Sequence, residues 1–425
     1  MITQLEQRLT PDPSRVVVRP FHIAPEPRDL NPVDLDRARR IFGAVAALDQ
    51  AACERELTAV NIDFADRHWE TSALFAERSA MICAAIGAEC QTLSRAHLEL
   101  VGAYFCMEYA YCAAAVTNPS IVPHPDQSGI RDGDVRFILS LRTVGEGHIS
   151  SVSFREGVFT QENALLVGRQ SGPTLTPDVA GPDAEGEIAL TRRGSVPISA
   201  MVIFPVTVAQ RNGLEDLRMV AFAEPDGTTT YHGTYTAYSG TGVRCELFST
   251  RDFKHLTLRP LRGSATGAKG LALFPRLIDG RYAMLGRHDG ESHFLLFSDD
   301  LLCWDLGERI AGPEHLWELV QTGNCGSPIE TAAGWLVLCH GVGAMRKYAI
   351  GAMLLDLDDP ARVLARSNAP FLLPGPVGRD GYVPNVVYTC GALLKGERLL
   401  IPYGVADTSV AFAHVDLSEL LASLS

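Results

Sequence analysis

Apolar residues at three- and four-residue steps mark the first quarter of the chain, and short β-branched and aromatic runs mark the rest. Leu35, Ala38, Ile41, Phe42 and Val45, and later Leu98, Val101, Phe105 and Tyr109, line up on helical faces. Asn31-Pro32 and Ser94 are residue types that start helices, so the spacing predicts a bundle of about four helices between residues 32 and 116. After Asn118-Pro119 the texture changes. Runs such as Val135-Arg136-Phe137-Ile138-Leu139, Met201-Val202-Ile203-Phe204 and Tyr282-Ala283-Met284-Leu285 stand between turns bearing Gly, Asp and Pro, as strands do. A loose recurrence runs through this region: Ser249 with Asp252-Phe253, Asp279-Gly280-Arg281-Tyr282, and Ser298 with Asp300 and Trp304. It suits a β-propeller, although a pair of β-sandwiches has similar short strands. The expected organisation is a mostly helical segment over residues 1–117 and a mainly β domain over 118–425.

With 425 residues, 46% hydrophobic and 20% charged, the chain can fill one large or two ordinary cores and is not of disordered type. A formal net charge of −13 argues against nucleic acid or an anionic membrane as partner, since both demand clustered Lys and Arg. A neutral sugar is indifferent to that field, whereas phosphate needs a local positive pocket. Residues 1–8 lack the apolar core of a signal peptide and no run reaches transmembrane length, which gives the cytosol as the expected compartment. The ten cysteines show no C-x-x-C spacing, and Cys83, Cys106, Cys112 and Cys339 lie in apolar runs, so they are expected as small buried hydrophobes rather than disulfides. Cys325 sits in Gly323-Asn324-Cys325-Gly326-Ser327 and is expected to line a site rather than act as a nucleophile.

The segment with most chemical content is Glu215-Asp216-Leu217-Arg218. In an extended strand, Asp216 and Arg218 share one face and Glu215 and Leu217 the other, which aims one carboxylate into a cleft. Alone, such a tetrapeptide also fits a solvated edge or a structural ion pair. Gly263-Ser264-Ala265-Thr266-Gly267-Ala268-Lys269-Gly270 has the look of a P-loop, but Ala268 and Gly270 stand where Gly and Ser or Thr must flank the lysine, so no nucleotide site is expected.

In the order of many further segments the chain resembles glycoside hydrolase family 130, the β-mannoside phosphorylases and mannosidases. The matching stretches are Asn118-Pro119-Ser120-Ile121, Ser140-Leu141-Arg142 with Gly147-His148-Ile149-Ser150-Ser151, the Glu215–Arg218 motif, and Lys269-Gly270 through Leu273-Phe274-Pro275 to Gly280-Arg281-Tyr282. They continue with Ser298-Asp299-Asp300-Leu301 and Trp304, Pro328-Ile329, Gly334-Trp335-Leu336 with His340-Gly341-Val342, Leu354-Leu355-Asp356 with Asp359-Pro360, Pro384-Asn385-Val386-Val387-Tyr388, and Tyr403-Gly404-Val405-Ala406-Asp407. The resemblance covers residues 118–425 and fades before about 115. It implies a five-bladed β-propeller of roughly 62 residues per unit; the N-terminal helices read from periodicity are an addition to it, left open between capping the propeller, walling off the acceptor side and packing copies into a homo-oligomer.

The same resemblance implies site residues. Asp216 falls on the family's catalytic acid, which protonates the glycosidic oxygen through the sugar's own 3-hydroxyl. Lys269, Arg287, Gln321 and His340 fall on phosphate-binding positions, His340 donating in its protonated form. Gln321 departs from the Lys usual in phosphorylases, whereas hydrolases of the family have largely lost the basic set. Asn118, Arg142, Ser150 and Asp407 fall around the mannosyl ring. Arg218 joins them as a substrate-binding residue if its guanidinium faces the sugar; turned toward Asp216, it would depress the acid's pKa. The implied reaction is inverting phosphorolysis of β-manno-oligosaccharides to α-mannose 1-phosphate, with inorganic phosphate as co-substrate and no cofactor or metal. A phosphate-independent β-mannosidase is the alternative, with Glu146, Glu330 or Asp289 as its second carboxylate, and a non-catalytic carbohydrate-binding propeller is a third reading.

Overall fold

The computed structural model describes residues 2–21, 35–64, 66–68, 70–170, 172–194, 196–375 and 379–425. Its contacts divide the chain into two units, one of residues 13–111 with 172–175 and one comprising the remainder. The expected boundary at 117/118 therefore shifts: residues 2–12 go with the β unit, whose main run opens at Cys112.

The described residues of the smaller unit form four α-helices, α1 (Leu35–Ala46), α2 (Gln50–Phe64), α3 (Thr71–Ile86) and α4 (Arg95–Tyr104). The start signal Asn31-Pro32 lies outside the described residues. Ser94 caps α4, its Oγ accepting from the His97 amide. Ala38, Val45, Ile82, Ile86, Leu100, Val101 and Phe105 form the core, each large apolar side chain contributing about 1.5–3 kcal/mol on burial. Gly102 lets α4 lie against α3, since a Cβ there would fall 1.8 Å from the Phe75 carbonyl oxygen. The helical periodicity over Leu98–Tyr109 overshoots. The helix stops at Tyr104, and Tyr109 is buried in a strand, Cys106–Ala110, that pairs with Val16–Pro20. That partner is some ninety residues away and invisible to local spacing. Cys83 and Cys90 form a disulfide, a correction to the all-hydrophobe expectation; the other eight cysteines are mostly buried.

The larger unit is β-rich: among the described residues its strands form four sheets, one of them eleven-stranded and joined in its middle by one bridge, so that five strand groups can be told apart. The first holds Ala115–Pro123, Val135–Val144 and Ser150–Phe159; the second Gly213–Ala223, Thr229–Tyr238, Val243–Thr250 and His255–Pro260, and a single bridge from Gly213 to Ser150 links the two. The third holds Ala272–Leu273, Tyr282–Gly286, His293–Ser298 and Glu308–Ala311; the fourth Gln321–Asn324, Gly334–Val342, Tyr348–Leu355 and Val363–Arg366. The fifth holds Val387–Tyr388, Arg398–Val405 and Ser409–Asp416, and its outer strand is Ile2–Leu9, paired antiparallel with Ser409–Asp416. Each group contacts the next, and Arg398–Val405 of the fifth contacts Ala115–Pro123 of the first. Apolar cores lie between successive groups, which is why strands such as Gly334–Val342 are buried along their whole length. Val122 of the first group, Ala221 of the second, Pro275 in the loop after Ala272–Leu273, and Ile329 and Leu393, on short strands paired with Gly334–Val342 and Arg398–Val405, line one cavity of about 280 Å3. The short helix α5 (Leu417–Ala422), capped by Asp416, follows the last strand. No helix among the described residues is long and apolar enough to cross a membrane.

Candidate active site

Two bulges build the site. Pairing of Ala115–Pro123 with its neighbour slips between Thr117 and Ser120, and pairing of Gly213–Ala223 slips between Glu215 and Arg218. Asn118 and Asp216, freed from the ladders, take left-handed conformations at φ 46° and 57°, a strain of about 1–3 kcal/mol for each non-glycine residue. Their side chains meet, Asn118 Nδ2 donating to Asp216 Oδ1 at 2.5 Å. The bulge also overturns the alternation expected for Glu215 to Arg218. Leu217 enters the core, while Glu215 and Asp216 converge on one guanidinium: Arg142 Nη2 donates to Glu215 Oε1 at 2.7 Å and Nη1 to Asp216 Oδ1 at 3.3 Å. Arg142 Nε donates to Ser150 Oγ at 2.9 Å, and Lys269 Nζ clamps the other oxygen of Glu215 at 2.7 Å.

Arg218 takes the second of the two orientations that the sequence left open, its guanidinium turned toward Asp216, with Nη2 3.9 Å from Asp216 Oδ2. It is 3% exposed, and its donors go to the Asp216 carbonyl, the Cys325 carbonyl and the Tyr388 hydroxyl, each at 3.0 Å. Burial raises the pKa of Asp216, but Arg142, Arg218, the Asn118 hydrogen bond and Lys269 outweigh it and hold the carboxyl below the ordinary aspartate value. Asp407, left-handed at φ 47°, moves the other way: burial and then the charge of Asp216 push it up against the pull of Arg142. Thr117 Oγ1 lies between Asp407 and the Asn118 amide that holds Asp216, its hydroxyl donating to Asn118 Oδ1 at 2.9 Å or to Asp407 Oδ1 at 3.4 Å.

The expected anion-binding residues fall into two places. Lys269 belongs with Glu215. Arg287, Gln321 and His340 cluster separately, Arg287 Nη1 donating to His340 Nε2 at 2.7 Å with Gln321 Nε2 3.4 Å from the same nitrogen. Gly323 permits this approach, since a Cβ there would lie 2.8 Å from His340 Cε1. Burial, then the charges of Arg287 and its neighbours, push His340 well below its usual pKa. The ring is neutral, Nε2 accepts, and the hydrogen belongs on Nδ1, which is buried without a partner among the described residues. His340 thus orients Arg287 instead of supplying a charge of its own, a correction to the protonated donor expected from sequence. Tyr388 connects the two places: its hydroxyl takes a hydrogen bond from Arg218, and its ring lies 5.1 Å from that of His340. Neither Tyr388 nor Glu215 stood among the expected site residues. Adjacency to Asp216 was the available signal for Glu215; Tyr388 lay within a matched segment without an assigned role.

Two of the alternative carboxylates are engaged by other partners. Glu330 grips Arg276 with both oxygens and pairs across from Trp335, five residues along Gly334–Val342 from His340, or about 17 Å of extended chain. Asp289 accepts from the amides of Glu291 and Ser292 to close a turn. Glu146 is exposed in the turn between the strands that carry Arg142 and Ser150. Cys325 is fully buried, and burial drives its thiol well above the usual value; its carbonyl, not its sulfur, serves the site through Arg218. Among the described residues no group of three or more His, Cys, Asp or Glu could hold a metal ion.

The model of glycoside hydrolase family 130, described as beta-1,4-mannooligosaccharide phosphorylase, matches residues 198–425. That stretch contains Asp216, Lys269, Arg287, Gln321, His340 and Asp407, whereas Asn118, Arg142 and Ser150 precede it. The chain is 34% identical over 232 residues to a beta-1,2-mannobiose phosphorylase of Listeria innocua, covering 52% of this chain and 63% of that one. It is 38% identical over 155 residues to a 1,2-beta-oligomannan phosphorylase of Thermoanaerobacter, covering 36% and 52% respectively. The match thus spans between about half and just under two thirds of these curated relatives. The solved structure of the Listeria innocua beta-1,2-mannobiose phosphorylase with beta-1,2-mannobiose aligns with a TM-score of 0.51 at 26% identity, over 73% of this chain and 92% of that one.

Proposed function

We propose, since this chain belongs to glycoside hydrolase family 130, that it is a glycoside phosphorylase that cleaves β-mannosides with inorganic phosphate and releases α-mannose 1-phosphate with inversion. The observation that carries the reading is the continuous path from Asp216 through Arg218, Tyr388 and His340 to Arg287, which couples an acid to a cation suited to an anion. Asn118, Arg142, Ser150 and Asp407 supply short polar groups for the hydroxyls of the mannosyl ring. Asp216 gives its proton to the sugar's 3-hydroxyl as that hydroxyl passes its own to the glycosidic oxygen. The bond from C1 to that oxygen breaks, its electrons staying on the departing sugar, while a phosphate oxygen bonds to C1 from the opposite face. The low pKa of Asp216 fits this order: the ligand-free carboxylate is ionised, and an anion arriving beside it favours the protonated form.

A five-bladed propeller is the architecture we infer for the β unit, with Ile2–Leu9 as the outer strand of the fifth blade. Five strand groups in chain order, contact of the last with the first, and one cavity lined by residues in or beside all five support it. The second reading, a β-mannosidase, draws support from the neutral Gln321 and His340, which leave few charges for phosphate. Its second carboxylate would be Asp407, whose pKa is pushed apart from that of Asp216. Rate measured against phosphate concentration on β-1,2- and β-1,4-mannobiose separates the two. A phosphate-dependent rate yielding sugar phosphate is expected; free mannose released at a rate indifferent to phosphate would replace the phosphorylase with the hydrolase.

A further inference from the structure

Two turns flank the carboxylates, and a tyrosine spans them. The turn Gly145–Ile149 joins the strand that carries Arg142 to the strand that begins at Ser150, and within it His148 is left-handed at φ 59°. The turn Ala406–Asp407 carries the raised carboxyl. Tyr382 is anchored on this second turn by its amide, which donates to Thr408 Oγ1 at 2.7 Å, and by the next amide, Val383, which donates to the Ala406 carbonyl at 2.9 Å. Its phenol crosses to the first turn, where its hydroxyl lies 2.8 Å from His148 Nδ1 and the two rings are 5.5 Å apart, tilted by 36°.

Backbone anchors and a hydroxyl contact order the Tyr382 side chain, yet it remains 54% exposed. A large aromatic surface held in place and left open at the rim of a polar site is preorganised for a ligand, because little conformational freedom remains to be lost on contact. The strain at His148, a non-glycine residue in the left-handed region, is the kind of outlier kept where geometry matters. The face that a pyranose offers to such a ring is its apolar C–H face, which packs on the π surface while the hydroxyls stay in water. We propose that Tyr382, positioned by His148, is the stacking platform for the sugar on the leaving side of the scissile bond and sets which acceptors the enzyme accepts. This assignment rests on the mannoside reading above: the mannosyl ring lies among Asn118, Arg142 and Asp407, the buried Arg218 closes the inner side, and the second sugar must lie toward the rim.

The test uses the full chain carrying Asp216→Asn, which binds without turnover, with mannose, β-1,2-mannobiose and β-1,4-mannobiose titrated by calorimetry. Adding Tyr382→Ala is expected to weaken at least one mannobiose about tenfold and leave mannose unchanged. Tyr382→Phe and His148→Ala, which release the ring without removing it, are expected to fall in between. In the otherwise natural chain, Tyr382→Ala should raise the acceptor KM in the synthetic direction and leave the KM for α-mannose 1-phosphate unaltered. Unchanged mannobiose affinity, or equal loss of mannose and mannobiose, overturns the assignment. A parent Asp216→Asn protein that is folded but binds none of the three sugars counts against the mannoside reading itself, and is told apart because Tyr382 is intact in it.

Discussion

The acid half of the site and the anion half use positive charge in opposite ways. Around Asp216, Arg142 and Lys269 are already satisfied by Glu215 and Asp216 at 2.7–3.3 Å, so the cations organise carboxylates. Arg287 donates instead to a neutral histidine whose ring nitrogen a glutamine also approaches, and among the described residues no carboxylate compensates the guanidinium. The first half is preorganised by internal ion pairs. The second is preorganised by an imidazole that orients a cation without cancelling it, and an arriving anion completes it.

The sharpest break in that comparison is Asp216→Asn, which keeps the shape but removes the transferable proton. Turnover is expected to fall by about a hundredfold or more, and the thermal midpoint should drop as well, because the carboxylate paired with Arg142 is lost. Near-normal kcat in a folded variant would take the acid role from Asp216. Next in size is Arg287→Ala, which removes the uncompensated charge. The phosphate KM should rise by about ten- to a hundredfold, as for a lost charge-assisted contact, while the KM for mannoside stays put. His340→Ala should raise the phosphate KM less, because it frees Arg287 rather than deleting it. Equal effects of both on the sugar KM would mean that the anion pocket has been misplaced.

The ordered segments that reveal the family are legible because each has a short-range signature, and strand runs between Gly-bearing turns reveal a mainly β chain. The positions of Glu215 and Asp216 are not, since their side-chain directions depend on a ladder slip that only the partner strand Thr229–Tyr238 can impose. For the same reason Ile2–Leu9 could not be read as the outer strand of the last group, whose strand Ser409–Asp416 lies some four hundred residues on. Proximity in sequence misled in the case of Glu330, which an extended strand carries away from His340. The charge state of His340 was hidden too, because it follows from burial and from a guanidinium 53 residues distant.

Asp407 offers a comparison within the acid half. A carboxyl with a raised folded-state pKa binds its proton more tightly when folded, so its contribution to stability is complete at low pH and is lost as pH rises through the folded value. Asp216, depressed, contributes above the unfolded value of about 3.9 and loses that contribution as pH falls. Asp407→Asn should therefore raise the thermal midpoint by a few degrees at neutral pH, where it relieves repulsion from Asp216. The gain should fade toward pH 4. A midpoint difference that is independent of pH would show that burial and the charge of Asp216 do not raise the Asp407 pKa in the folded protein.

The smallest expected effect addresses the anion half directly. Gln321 stands beside the same imidazole nitrogen that holds Arg287, so Gln321→Lys places a second cation next to an uncompensated one. Without phosphate the two repel, and the midpoint should drop slightly. With phosphate the new amine adds attraction worth roughly 1 kcal/mol, which lowers the phosphate KM by about fivefold. The stabilisation by phosphate should thus be larger in the variant than in the natural chain. In a hydrolase the amine meets only water, and neither the midpoint nor the rate would gain from phosphate. Thermal midpoints with and without phosphate, measured for both proteins beside the phosphate KM, decide whether the pocket of Arg287 and His340 is built for that anion.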